Sequence, residues 1–208
     1  MINSEIAELC GTILGDGNLH KSSNRITITG SIDDLDYYQS KIIPLFVKYF
    51  NGKVFLRKRK DRNSYYMWIE NKEAFNFFLD IGFQRGNKSK SGIPIKIMEN
   101  PKLWKPFLRG LFDTDGYLKF SKQNKEYAYY PRIRFTFQES PLIGDLKEIL
   151  TKLGFNYSLH KDRRYSTYDF EISGKSNLEK WMGLIGINNP VKLKKYQYWK
   201  KHGVYIPK

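Results

Sequence analysis

Two segments of this chain follow the same pattern and constrain its fold more than any other feature. IAELCGTILGDGNL at 6–19 and FLRGLFDTDGYLKF at 107–120 are apolar helical runs that end in an acid followed by glycine. The acids, Asp16 and Asp115, lie 99 positions apart. Each stands at the C-terminus of its predicted helix, where the helix dipole repels a carboxylate. The pattern is unfavourable for a lone helix, so we expect the two acids to share a role.

The repetition extends beyond these motifs. RITITGS at 25–31 resembles RIRFTFQ at 132–138, and YYMWIENKEAF at 65–75 resembles YDFEISGKSNL at 168–178. In each copy the hydrophobic periodicity predicts helix, two strands, helix, two strands, helix. We therefore predict an α+β fold made of two pseudo-symmetric αββαββα repeats.

Glycine and proline in SGIPIKIMENP, residues 91–101, mark the junction between the copies. Such residues punctuate regular structure, and here they indicate an ordered linker. The predicted domains are an N-terminal repeat at 1–92, a linker at 93–101 and a C-terminal repeat at 102–208.

The predicted strands alternate apolar and polar residues, so one face of each sheet is free for solvent or a ligand. In the second copy Ile133, Phe135 and Phe137 point inward, and the outward positions are rich in arginine. Arginine and threonine suit contacts with phosphates and base edges. The candidate DNA-contacting residues are Arg25, Thr27, Thr29, Arg57, Arg59, Arg132, Arg134 and Thr136.

Composition favours a polyanionic partner. The 208 residues include 36 Lys and Arg against 21 Asp and Glu, a formal net charge of +15. Such an excess is typical of nucleic-acid binding, although an ordinary basic protein is the alternative. The single cysteine, Cys10, excludes an internal disulfide and a cysteine-based zinc site. No apolar run has the length of a membrane span and no signal peptide is recognisable, so we expect no membrane partner and an intracellular location, in the cytoplasm or a genome-bearing organelle.

Small residues recur at every fourth position on one face of each motif helix. They are Ala7, Gly11 and Gly15 in the first and Pro106, Gly110 and Thr114 in the second. Such stripes let two helix backbones approach closely. If the helices pack through these faces, their C-termini bring Asp16 and Asp115 together, and a divalent cation such as Mg²⁺ is expected beside them. The alternative for either motif alone is an ordinary Asp-Gly turn.

LCGTILGDG at 9–17 and LRGLFDTDG at 108–116 resemble the two motifs of LAGLIDADG homing endonucleases in their single-chain form. The resemblance implies that the motif helices pack at an interface and that two saddle-shaped antiparallel sheets lie in the major groove of a long DNA site. It also implies a metal site formed by Asp16 and Asp115 with the carbonyls of Gly15 and Thr114. Asp113 falls on a variable position of the motif and is not expected to be catalytic.

The same resemblance implies further catalytic groups. A basic residue in each half assists near the transition state, and Lys88 and Lys192 match that place, with Lys90 and Lys194 as rivals. Many members also have a polar residue at the end of the second strand. Gln138 fits in the second half, whereas the first half offers only Ser31.

The resemblance implies a monomeric, intron-encoded endonuclease that makes a double-strand break in a long DNA target. Mg²⁺ is the expected cofactor, with Mn²⁺ as a substitute and Ca²⁺ supporting binding without cleavage. An intein origin is less expected, because the chain starts with Met1 and ends in KHGVYIPK.

Three alternatives stay open. One is an RNA-splicing maturase with intron RNA as a partner, and another is a non-catalytic DNA-binding module of the same fold. The third is a different nuclease site built on Asp61, Glu70 and Lys72.

Overall fold

The computed structural model describes residues 2–60, 62–86, 88 and 91–206. The helices are α1 Ser4–Asp16, α2 Leu35–Tyr37, α3 Ile43–Phe50, α4 Lys72–Asp80, α5 Ile95–Met98, α6 Pro101–Asp115, α7 Pro141–Lys152, α8 Lys175–Leu184 and α9 Pro190–His202. A 3-10 turn, Ile32–Asp34, precedes α2, and a π-helical turn, Tyr38–Ile42, joins α2 to α3. Across the described residues, no helix has the length and apolar character that crossing a membrane requires.

The strands form two four-stranded antiparallel sheets. Their bounds are β1 Gly17–Leu19, β2 Arg25–Ser31, β3 Val54–Lys58, β4 Ser64–Glu70, β5 Tyr117–Ser121, β6 Tyr130–Gln138, β7 Ser158–Asp162 and β8 Thr167–Ser173. The strand orders are β1-β2-β4-β3 and β5-β6-β8-β7. The predicted α+β repeat of αββαββα units is thereby confirmed. The predicted domain boundaries stay predictions, and α5 lies within the segment assigned to the linker.

Each sheet buries one face against helices. In β2 Ile26 and Ile28 are buried, and in β6 Ile133 and Phe135 are buried, while the residues between them face outward. The predicted alternation is confirmed in both halves. On the buried face of the second sheet, the Phe135 ring packs against Trp181 of α8 with centroids 5.9 Å apart, so the outward face is left for solvent or a partner.

Helices α1 and α6 pack backbone against backbone. A Cβ atom added at Gly110 would lie 1.9 Å from the carbonyl oxygen of Glu8, and one at Gly11 would lie 2.1 Å from that of Phe107. Real side chains cannot tolerate such distances, so both positions require glycine. The small-residue stripes predicted from the sequence are therefore the actual contact between the two halves.

The glycines that follow the two motif acids serve a different purpose. Gly17 and Gly116 have φ values of −84° and −77°, so neither is a left-handed helix cap. A Cβ on Gly17 would lie 2.5 Å from the carbonyl oxygen of Ile13, and one on Gly116 would lie 2.6 Å from that of Phe112. Glycine lets the chain leave each helix directly into the first strand of its sheet, which rules out the ordinary left-handed turn.

A buried polar cluster fixes how the two helices align. Glu8 of α1, only 1% exposed, accepts hydrogen bonds from Arg109 of α6 at 2.7 and 3.1 Å and from the Asn188 side chain at 2.6 Å. Arg109 also donates to the carbonyl of Ile185 at 3.1 Å. A buried charge with all these partners tolerates little sliding of one helix along the other.

We predict that Gly110→Ala lowers the free energy of unfolding by at least about 2 kcal/mol, because the added methyl meets backbone that cannot move aside. The matched control is Gly144→Ala in α7, where an added Cβ meets no atom within 4 Å. That change should stabilise the protein by about 0.5–1 kcal/mol through helix propensity. Denaturant unfolding of the two variants measures both effects. An unaltered midpoint for Gly110→Ala would contradict the close helix contact.

Candidate metal centre and nucleic-acid interface

The two motif acids meet where α1 and α6 end together. Asp16 is half-buried, and Asp115 faces an open cleft. Burial, together with the charge of Asp115, raises the pKa of Asp16 to about 7. Desolvation by the surrounding protein also raises the pKa of Asp115. Two carboxylates and two negative helix ends therefore share one small volume, which favours a bound cation or a retained proton.

A lysine from each half caps its own motif helix. The Lys88 amine donates to the carbonyls of Leu14, at 2.9 Å, and of Gly15. The Lys192 amine of α9 donates to three carbonyls at the end of α6, those of Phe112 at 2.6 Å, Asp113 at 2.9 Å and Thr114 at 3.0 Å. The Phe112 carbonyl also accepts from the Gly116 amide at 3.0 Å. The last carbonyls of a helix otherwise lack intrahelical partners, so the two lysine cations offset the partial negative charge of the helix ends. Burial lowers the pKa of both lysines.

The donor set suits a hard divalent cation. Carboxylates and backbone carbonyls are the oxygen ligands that Mg²⁺ and Ca²⁺ prefer. Within the part of the chain that the structure describes, no three His, Cys, Asp or Glu residues form a metal cluster. An ion at Asp16 and Asp115 would therefore need further oxygen ligands, such as backbone carbonyls and water. The two predicted carbonyl ligands, those of Gly15 and Thr114, are among the five carbonyls that the lysines contact.

Tyr38 is a site residue that sequence reasoning missed. Its hydroxyl donates to Asp16 at 3.1 Å, and the side chain is 1% exposed. The ring fits because Gly30 has no side chain: a Cβ there would lie 1.8 Å from the Tyr38 hydroxyl. In the second half Phe137, which is buried, stands where the first has Gly30. The sequence did contain one signal for Tyr38: glycine stands near the end of β2 where the second copy has an aromatic residue, which indicates that another side chain fills that space.

Gln138 lies where the resemblance implied. It ends β6 and, with Lys88, Asp115 and Asn18, lines a cleft of about 310 Å³. The cleft thus combines groups from both halves beside the second acid. Ser31, its suggested counterpart, instead caps the 3-10 turn by accepting from the Asp33 amide at 3.3 Å.

Asp113 is held away from the open site. It is 1% exposed, and its carboxylate accepts from the backbone amide of Asn188 at 2.9 Å. Asn189, fully buried, donates to the carbonyl of Asp113 at 2.9 Å and to the carboxylate of Asp34 at 2.7 Å. These two asparagines, which sequence reasoning also missed, connect the second motif to the first half.

The outward face of the second sheet presents arginines that are paired with acids. Arg132 forms an ion pair with Glu171, and Arg134 lies 3.4 Å from Glu171 and 3.5 Å from Asp169. The Thr136 hydroxyl donates to Asp169. The predicted residues do share this face, but sequence reasoning missed the acids among them.

The outward face of the first sheet is more aromatic. Arg25 is paired with Glu70 and lies 6.0 Å from the ring centre of Trp68. Arg59 lies 5.8 Å from the ring centre of Tyr66. The other predicted residues of this face are Thr27 and Thr29, both half-buried, and the exposed Arg57. Contact of any of these residues with DNA stays a prediction.

The rival assignments find less support. Lys194 is exposed on α9, whereas Lys192 on the same helix reaches the end of α6. Lys90 and Asp61 lie outside the described residues. Glu70, needed for the alternative nuclease site, is engaged by Arg25 on the sheet face.

Part of this chain matches a known family, and most of it resembles segments of longer proteins. Residues 105–186 match the model of the LAGLIDADG-like domain. Replication factor C small subunit of Methanocaldococcus jannaschii is 31% identical over 202 residues, which is 93% of this chain and 10% of that protein. Glutamine–fructose-6-phosphate aminotransferase of the same organism is 25% identical over 204 residues, again 93% of this chain and 17% of that protein. The chain thus spans a small part of these relatives.

Solved structures share the fold. The homing endonuclease I-DmoI in complex with DNA and Ca superposes with a TM-score of 0.65 at 18% identity, covering 94% of this chain and 97% of that one. Its complex with DNA and Mn gives 0.62 at 22% identity, covering 88% and 96%. Full-length DUF199/WhiA from Thermatoga maritima gives 0.64 at 18% identity, covering 99% and 62%. The resemblance to single-chain LAGLIDADG proteins is confirmed.

We predict that Asp16→Asn stabilises the metal-free protein at pH 7.5 and not at pH 4. The Asp16 pKa is raised from its usual 3.8 to about 7. Ionisation is therefore resisted in the folded state, and the wild type loses stability as the pH rises between those values. The variant has no ionisable group at position 16, so its free energy of unfolding does not fall for this reason as the pH rises.

Thermal unfolding across this pH range measures the difference between the two proteins. Adding Ca²⁺ at pH 7.5 should raise the unfolding temperature of the wild type more than that of the variant, because the ion offsets the paired carboxylates. A constant difference at every pH would contradict the close approach of the acids.

Proposed function

We propose that this chain, a LAGLIDADG protein of the single-chain form with two motifs, is a site-specific homing endonuclease. It makes a double-strand break in a long DNA target by metal-dependent phosphodiester hydrolysis. The observation that carries the proposal is the convergence of Asp16 and Asp115, with raised pKa values, beside two lysines and an open cleft. The pKa of the buried Asp113 is also raised to about 7, so the feature that favours catalysis over binding alone is that Asp16 and Asp115 interact with each other beside the open cleft.

Asp16 and Asp115, with the carbonyls of Gly15 and Thr114, would hold Mg²⁺, for which Mn²⁺ substitutes. When bound, the ion supplies activation of water and stabilisation of the leaving oxygen. The complexes of I-DmoI with DNA and either Mn or Ca support the use of a divalent ion in this fold. Tyr38 keeps Asp16 oriented through its hydroxyl, whose donation also favours the ionised carboxylate.

Lys88 and Lys192 stabilise the negative charge on the scissile phosphate during hydrolysis. Each amine now rests on the carbonyls at the end of a motif helix, next to the acids. A scissile phosphate in the site is a stronger anionic partner, so the amines turn toward it and offset its growing negative charge. Gln138, at the end of β6, provides a polar side chain for the DNA in the cleft beside Asp115.

The two sheets supply binding. Their outward faces carry the predicted basic residues, and the chain has a net charge of +15. One chain contains both motifs and both sheets, so a monomer can engage both halves of a duplex target. The two curated relatives have unlike activities, and this chain covers only 10% and 17% of them. The activities of these relatives therefore do not transfer to this chain.

Replacing either Asp16 or Asp115 with Asn should reduce cleavage by several orders of magnitude and leave DNA binding intact, because binding rests on the sheets. The matched control is Asp113→Asn, the same change within the same motif at a buried position, which should keep cleavage. Wild type should cut with Mg²⁺ and only bind with Ca²⁺.

The measurement is a gel assay for binding and cutting on a duplex enriched from a randomised library. Full double-strand cutting by either Asn variant would overturn the assignment. Loss of binding together with cutting would assign the acids a structural role.

A further inference from the structure

The outward faces of the two sheets differ in chemistry at equivalent positions. In the first sheet Phe55 pairs across the strands with Trp68, and Tyr66 lies two residues before Trp68 on the same face. We call Phe55, Tyr66 and Trp68 the aromatic row. All three side chains are half-exposed, although they lie on the face opposite the core.

The rings of the aromatic row stack on each other. Phe55 and Trp68 have centroids 4.9 Å apart at 12°, and Tyr66 and Trp68 have centroids 5.2 Å apart at 21°. Cations lie at both ends, with Lys53 5.1 Å from the centre of Phe55 and Arg59 5.8 Å from that of Tyr66. Neighbouring rings and cations therefore cover ring faces within the aromatic row.

The second sheet has acids at two of the three positions where the first has rings, and Ser158 at the third. The internal repeat aligns Ile69 with Ile172, so Trp68 corresponds to Glu171 and Tyr66 to Asp169. These acids face the same side as Arg132, Arg134 and Thr136 and interact with them. Charged and hydrogen-bonding groups thus replace an apolar surface.

These two surfaces match different base pairs in the major groove. An apolar surface complements the thymine methyl group, whereas arginine pairs with guanine and a carboxylate accepts from the cytosine amino group. We propose that the chain reads a chemically asymmetric target, with thymine methyls against the aromatic row and G·C pairs against the second sheet. This inference rests on the proposed recognition of duplex DNA and extends it to base content.

Duplex DNA is a better occupant of the aromatic row than a single strand. Proteins that bind single strands stack bases on free aromatic faces. Here neighbouring rings and cations cover those faces, so no base can stack without breaking the row. The flanking basic residues, Lys53, Arg57 and Arg59, favour phosphates at the groove edges.

The test replaces thymine with uracil, which removes only the methyl group. A duplex is first enriched from a randomised library with wild-type protein and Ca²⁺, and it is then made with uracil in one half-site at a time. In the half-site facing the first sheet, binding should weaken about fourfold for each contacted methyl. In the other half-site, uracil should leave binding unchanged.

Matched variants identify which half-site faces which sheet. Trp68→Ala should change base preference in one half and reduce the difference between thymine and uracil there. Glu171→Ala, the equivalent position of the second sheet, should change preference for C·G pairs in the other half. Since the uracil arm leaves the protein unaltered, loss of folding in a variant does not remove the test.

The possible outcomes separate this inference from the proposed function. A duplex that is cut with Mg²⁺ but shows no effect of uracil would overturn the methyl contact and leave the endonuclease proposal standing. An effect of uracil without cutting would support the inference and overturn the endonuclease. Tighter binding of the matching single-stranded RNA, or failure to enrich any sequence, would overturn the inference.

Discussion

The close contact between two helix backbones is the constraint on which the rest of this structure depends. Because Gly11 and Gly110 carry no side chains, α1 and α6 approach until a single methyl on either would overlap the partner's backbone. The contact continues to the ends of the helices, where a Cβ on Gly15 would lie 2.2 Å from the Thr114 hydroxyl. The helices therefore end together, and the acids that follow cannot separate unless the interface between the halves opens.

This convergence concentrates negative charge, and the chain offsets it with residues far away in sequence. Lys88 lies beyond α4 and Lys192 lies in α9, yet each returns to the carbonyls at the end of the motif helix in its own half. Desolvation raises the pKa of Asp16 and Asp115 and lowers that of Lys88 and Lys192, so each of these four groups is held less charged than it would be in water. Under the proposed function, a cation would offset the charge of the two acids and a phosphate would offset that of the two lysines.

The features that occur in both copies of the sequence predicted the architecture, whereas residues without a counterpart in the other copy were not predicted. Two motifs, two small-residue stripes and alternating strands such as Arg25–Ser31 each follow a simple period, so the fold, the helix contact and the meeting of Asp16 with Asp115 could be predicted. Tyr38, Asn188 and Asn189 have no counterpart in the other copy of the repeat. Their roles depend on long-range packing that no local pattern encodes. Likewise, alternation predicted that Arg132 and Arg134 face outward, but pairing with Glu171 depends on strand register across β6 and β8.

We propose that one helix interface creates one shared metal centre. The most direct measurement is anomalous diffraction from crystals of the protein with Mn²⁺ and a duplex target. We expect manganese peaks about 2.0–2.6 Å from carboxylate oxygens of Asp16 and Asp115, a range that covers hard divalent ions on oxygen ligands. Manganese bound only elsewhere, or acids lying apart with no ion between them, would contradict it.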